Sequence, residues 1–208
     1  MCLILFSWQR HPRYALVFAA NRDEYHARAT APAAFWKDAP RVLAGRDLEG
    51  GGTWAGITVG GRFAALTNFR SGTTTRSGAP SRGALVADYL RATTPPAAYV
   101  SGVSERGADY NGFNLLAGAV GADGGELYWC SNRAGAPRRL EPGMHGISNH
   151  LLDTPWPKVV DGKRALASLI DGDAPLDPER VLALLADTRA ATDDALPETG
   201  VGLELERA

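Results

Sequence analysis

The chain opens on two short apolar runs separated by a polar break. Leu3-Ile4-Leu5-Phe6 comes first, Gln9-Arg10-His11-Pro12-Arg13 interrupts, and Tyr14 to Ala20 resumes. Both runs are continuous rather than alternating, the pattern of strands buried on both faces. Joined through the break they predict a hairpin, which brings position 2 beside Asn21-Arg22-Asp23-Glu24. Arg28 to Asp38 reads as a polar, proline-containing loop. Val42 to Gly45 reads as a short strand, and Arg46 to Gly52 as a turn ending in glycines. Thr53 to Val59 and Arg62 to Asn68 then form a second hairpin across Gly60-Gly61.

After a flexible stretch from Ser71 to Ser81 the period changes to that of a helix. Leu85, Val86, Tyr89 and Leu90 share one face, and Thr94-Pro95 predicts a cap opening a second helix through Val100 and Val103. Strands return at Phe113 to Val120 and Glu126 to Cys130 around a turn at Gly121 to Gly125, and again up to His145-Gly146-Ile147-Ser148-Asn149. Two more helices are expected. One carries Val159, Leu166, Leu169 and Ile170, and the other follows the cap Asp177-Pro178-Glu179 with Val181, Leu184 and Leu185. Strands, two helices, strands and two helices predict an α+β fold. Two packed sheets with a helix pair outside each, a four-layer αββα sandwich, bury every apolar face. No repeat or linker divides the chain, so one domain over 1–208 is expected.

Composition narrows the function classes. The 208 residues are 45% hydrophobic and 22% charged, with net charge -1, and the basic residues are scattered. That excludes an electrostatic nucleic-acid surface. The longest apolar stretch, Tyr14 to Ala20, is far below transmembrane length, and neither a leader nor a myristoylation glycine is visible. Cys2 and Cys130 are too few for a disulfide scaffold, so both are expected reduced in a cytoplasmic setting. His145 and His150 lack the cysteine pair of a zinc site, and Gly50 to Gly52 lack the Lys-Ser/Thr of a phosphate loop. No metal or cofactor is expected, and the oligomeric state is open.

The candidate chemistry begins at position 2. Removal of Met1 would leave thiol and α-amine on one residue, and an α-amine titrates near ~8, where it serves as a base. The alternative is that Cys2 is a small buried apolar residue and Asn21 to Glu24 a solvated strand end. Thr67-Asn68-Phe69-Arg70 ends a strand on an amide, either an oxyanion donor or a turn cap, and Ser148-Asn149-His150 repeats the choice. Trp54 and the other tryptophans are core or the wall of an apolar cleft. Cys130, after Tyr128-Trp129, is expected buried and slow to alkylate.

Several of these stretches together carry a resemblance: Met1-Cys2-Leu3-Ile4, Ala20-Asn21-Arg22-Asp23-Glu24-Tyr25-His26-Ala27-Arg28, Gly51-Gly52-Thr53-Trp54-Ala55-Gly56, Leu66-Thr67-Asn68-Phe69-Arg70 and Gly146-Ile147-Ser148-Asn149. The chain resembles the NRDE family, that of transport and Golgi organisation protein 2. That family in turn is similar to N-terminal-nucleophile (Ntn) hydrolases of the penicillin V acylase and bile salt hydrolase type. The resemblance implies Cys2 as nucleophile, Asp23 holding its α-amine, and Asn68 and Asn149 serving the oxyanion and amine. Asn21, Arg22, Trp54 and Arg70 would contact a small acylated or apolar ligand. The reaction implied is cleavage of a linear amide or a thioester. The alternative is a non-enzymatic carrier of haem or acyl lipid, in line with the family's links to haem trafficking and secretory organisation. Ala20 stands where those hydrolases carry Arg, and their late Arg has no counterpart. The family pattern continues past Glu206-Arg207-Ala208, so a short C-terminus is expected.

Overall fold

Strands fill most of the first two thirds of the chain, where the apolar runs lie. The computed structural model describes residues 2–72, 75–121, 124–172, 175–189 and 191–207. Met1, the middle of the expected 121–125 turn, Thr73 and Thr74 of the 71–81 stretch, and Ala208 lie outside the described residues. In chain order the strands begin with β1 (Leu3–Trp8), β2 (Leu16–Asn21), β3 (Thr30–Trp36), β4 (Ala39–Asp47), β5 (Ala55–Thr58) and β6 (Arg62–Asn68). Helices α1 (Arg82–Arg91) and α2 (Pro96–Glu105) follow. Next come β7 (Phe113–Gly121), β8 (Gly124–Ser131), β9 (Arg138–Arg139) and β10 (Gly143–Ile147). The chain closes on α3 (Pro157–Ile170), α4 (Pro178–Ala183) and α5 (Leu203–Arg207). No helix among the described residues is long and apolar enough to cross a membrane.

Two compact units result. The first comprises residues 1–23, 69–74 and 141–208, the second 24–68 and 75–140. In the first unit β1 lies between β10 and β2, antiparallel to both. Ile4 to Trp8 are all buried, the polar Ser7 included, as a central strand covered on both faces requires. Helix α3 turns Val159, Leu166 and Ile170 onto this sheet at helical spacing. Leu166 and Ile170 join Leu5, Val17, Ala19 and Val181 in one core, where each fully buried aliphatic contributes about 1.5–3 kcal/mol. Two glycines set the distance. A Cβ on Gly162 would meet Leu5 Cδ1 at 2.7 Å, and one on Gly146 would meet Val159 Cγ1 at 2.8 Å. The helix therefore rests closer to β1 and β10 than any larger residue would permit.

The second unit is a meander, β3 to β9 in sequential order. Leu85, Val86, Tyr89 and Leu90 of α1 and Val100 and Val103 of α2 pack with Ala64, Leu66, Phe113 and Leu115 of the sheet. Residues 30–36, expected as loop, form β3. It is an edge strand paired only to β4, and its largely exposed side chains give no alternating signal. β4 is longer than the expected Val42 to Gly45, and β5 shorter than Thr53 to Val59. Helix α2 starts one residue later than expected, with Pro95 as cap and Pro96 in the first turn. Gly52 explains the glycines before Thr53-Trp54, since a Cβ there would lie 2.4 Å from the backbone of Gly83 at the start of α1. Cys130 is 1% exposed, as expected, and burial pushes its thiol up to about 11.

Candidate active site

The register of the first unit's sheet decides what surrounds position 2. Leu3 opposes Asn21, so Cys2 continues alongside the residues after β2. Its Sγ lies 4.0 Å from the main-chain oxygen of Asp23, at the outer limit for a sulfur hydrogen bond. On the other side Ile4 opposes Ile147, and Ser148 and Asn149 follow directly. The buried Ser148 hydroxyl donates to the Cys2 carbonyl at 2.9 Å and lies 3.4 Å from Asn149 Oδ1. Asn149 is buried, and its carbonyl accepts from the Arg70 N–H at 2.6 Å. Cys2, Asp23, Asn149 and Arg70 are thus neighbours along one sheet end. Asn21 is tied differently. Its amide donates to the Leu185 carbonyl at 2.8 Å and anchors the turn after α4. Arg22 is half-buried, one residue past β2.

Asn68 and Trp54 belong to the second unit. Asn68 ends β6 opposite Phe113 with its side chain exposed. Trp54 is half-buried, and its carbonyl accepts from Leu66 N at 2.8 Å. Glu24 also lies there, 3.7 Å from the Arg28 guanidinium, which bonds Asp47 at 2.7 Å.

Charge is concentrated on the side of the first unit that faces α5. Arg70 Nη1 is 3.1 Å from Glu206 Oε2, with only 16% and 4% of the two side chains exposed. Glu206 Oε1 accepts from Thr199 N at 2.8 Å and Thr199 Oγ1 at 2.5 Å. Burial pulls the Glu206 carboxyl upward, but the Thr199 and Arg70 donors outweigh it and leave it below its ordinary value. Lys158, in the first turn of α3, contrasts with this. Its Nζ is buried and has no hydrogen-bond partner among the described residues. The ammonium sits 5.7 Å from the centre of the Trp156 ring. Burial, then the nearby Arg70, pushes it down to about 8, while Cys2 and Glu206 pull the other way. Beside it His150 stacks between Phe69 and Trp156, and burial lowers its pKa, which favours the neutral ring.

A cavity of about 540 Å³ opens over these groups within the unit. Leu3, Asn21, Asp23, Trp156, Lys158 and Glu206 are among the residues that line it. No cluster of three or more His, Cys, Asp or Glu that would hold a metal occurs among the described residues. Sequence reasoning missed Ser148 as the anchor of Cys2, because the pair is 146 residues apart. It also missed Lys158. A signal existed, since a lysine in the first turn faces the positive end of the helix dipole.

Among solved structures, the N-acylethanolamine-hydrolyzing acid amidase ortholog of Caenorhabditis elegans superposes with a TM-score of 0.59, covering 90% of this chain and 86% of that one. At 13% identity the likeness speaks for the fold, which is α+β and Ntn-hydrolase-like. The Transport and Golgi organization protein 2 homolog of Bos taurus is 36% identical over 210 residues, 97% of this chain and 76% of that protein. The Homo sapiens homolog is 35% identical over the same shares, and the Drosophila melanogaster protein 30% over 89% and 70%. The family's sequence profile matches residues 1–208, and on that match the chain belongs to the Transport and Golgi organisation 2 family.

Proposed function

We propose that the chain is an Ntn-type cysteine hydrolase acting on a linear amide, or a thioester, of a small acylated molecule. Once Met1 is removed, the α-amine of Cys2 takes the thiol proton as Sγ bonds the carbonyl carbon. Collapse of the tetrahedral intermediate breaks the C–N bond, and the ammonium returns its proton to the leaving amine. Water, deprotonated by the same amine, then cleaves the thioester and frees the acid. Asp23 and Asn149 orient the amine. The family resemblance supplies Asn68 as an oxyanion donor.

The observation that carries this reading is the Cys2 sulfur, 4.0 Å from the main-chain oxygen of Asp23, a residue of the cavity lining. The amidase named among the similar structures supports the reaction class. The test is intact mass and thiol-probe mapping, with hydrolysis of a panel of N-acyl amides and acyl thioesters. Native protein is expected to carry the label on Cys2 and to hydrolyse members of the panel. Cys2→Ala, or one residue left in front of Cys2, is expected to abolish hydrolysis. Full activity in the extended protein overturns the terminal-amine mechanism. A carrier reading draws on the same cavity and expects no turnover, with apolar ligand binding unchanged in Cys2→Ala.

A further inference from the structure

Lys158 is a cation that meets the face of the Trp156 ring but no hydrogen-bond acceptor among the described residues. Its Nζ is buried and without a hydrogen-bond partner among the described residues, although an ammonium out of water ordinarily requires one. It stands in the first turn of α3, at the positive end of the helix dipole. Arg70 repels it, Cys2 and Glu206 attract it, and the Glu206 carboxylate is already bonded to Arg70 and Thr199. Among other charged groups of the lining, Asp187 pairs with Arg189 at 2.6 Å, Asp161 with Arg164 at 2.8 Å and Arg207 with Asp193 at 2.6 Å. Asp23 completes the set. A partly desolvated, unpaired cation in a cavity wall is the arrangement of a ligand-binding group rather than a structural one.

We infer that Lys158 receives a carboxylate of the ligand, so that the cavity selects acyl conjugates carrying a single negative charge over their uncharged counterparts. The inference deepens the proposed function and takes its acyl ligand from it. A singly charged group suits the site, because Glu206 and Asp23 nearby oppose a doubly charged phosphate. Only the protonated amine holds the carboxylate. Affinity is therefore lost as pH rises past about 8, where burial has brought Lys158. The α-amine at residue 2 titrates in the same range, and Lys158→Arg, charged throughout, separates the two.

The experiment is calorimetric titration of the full chain carrying Cys2→Ala with N-lauroylglycine and with uncharged lauroyl ethanolamide, at about pH 6.5 and about pH 9.5. At the lower pH the glycine conjugate is expected to bind about tenfold to a hundredfold tighter. Lys158→Met is expected to bring the two within about twofold, and the higher pH to do the same for Lys158 but not for Lys158→Arg. Thermal melting checks that each variant folds, and Lys158→Gln replaces the methionine variant if it does not. An undiminished preference in a folded, uncharged variant overturns the inference, as does failure of N-lauroylglycine to bind. A Lys158-dependent preference, with native protein that hydrolyses no member of the amide and thioester panel, upholds the anion site and overturns the hydrolase.

Discussion

Both units satisfy most of their buried polar groups, and they differ in which atom each leaves over. In the second, Asn114 is fully buried yet donates to Thr67 Oγ1 at 3.1 Å and accepts from Trp129 Nε1 at 3.2 Å. The Ser131 hydroxyl bonds the Phe113 carbonyl, and the Trp36 indole bonds Ala44. Its one buried side-chain atom without a partner among the described residues is the Tyr89 hydroxyl, which burial keeps protonated by pushing it up to about 12. Among its described residues the first unit leaves the Ser7 hydroxyl and a charged amine, that of Lys158. An unsatisfied neutral hydroxyl costs about 1–3 kcal/mol, an unsatisfied charge more. The buried amine therefore costs the first unit more than the Tyr89 hydroxyl costs the second.

The largest effect belongs to the dry core. Phe113→Ala removes a fully buried ring and is expected to cost about 3–5 kcal/mol in urea denaturation. A loss under about 1 kcal/mol would break the comparison on that side. Lys158→Met acts in the opposite direction and is expected to raise stability by on the order of 2–3 kcal/mol at neutral pH. Because the folded pKa is lowered, the unfolded chain binds the extra proton between about 8 and 10.5. The cost of the buried ammonium is therefore full below that window and disappears as pH rises through it. Denaturation of both proteins across the window checks this, and a constant difference would contradict it. Glu206→Gln is next, at about 2 kcal/mol, since it leaves the buried Arg70 without its carboxylate. Glu206 has a lowered pKa, so the stability it contributes is present above its ordinary value of 4.5 and lost on acidification below it. The smallest effect is kinetic. Iodoacetamide is expected to modify Cys130 only after denaturation, and prompt reaction in the folded protein would show a looser second unit than its core implies.

How much of this was visible beforehand follows from range along the chain. The apolar runs that became β1, β6 and β7 are local signals, and the hairpin that brings Cys2 to Asp23 needs only a short turn. Residues 30–36 escaped because an edge strand with exposed side chains lacks the alternation that marks half-buried strands. Leu184 and Leu185, expected in the last helix, fall instead in a 3₁₀ turn held by Asn21 from 164 residues away. Lys158 and Glu206 acquire meaning only through Arg70, more than half the described chain from Glu206. Local periodicity carries no trace of such pairs.

The central strand of the first unit is made early and completed late. β1 gains β2 at once, but β10 follows about 135 residues later. At 5–20 residues per second that is about 7 to 27 s of synthesis during which one edge of β1 stays unpaired. The β3 to β9 meander is contiguous and has every partner by the time β10 emerges. It is therefore the natural first foldon, with the apolar hairpin waiting as a client for chaperones. The same interval leaves Met1 open to excision on the ribosome before Ser148 arrives to bond the Cys2 carbonyl. Processing at position 2 and assembly of its surroundings are then successive events in translation.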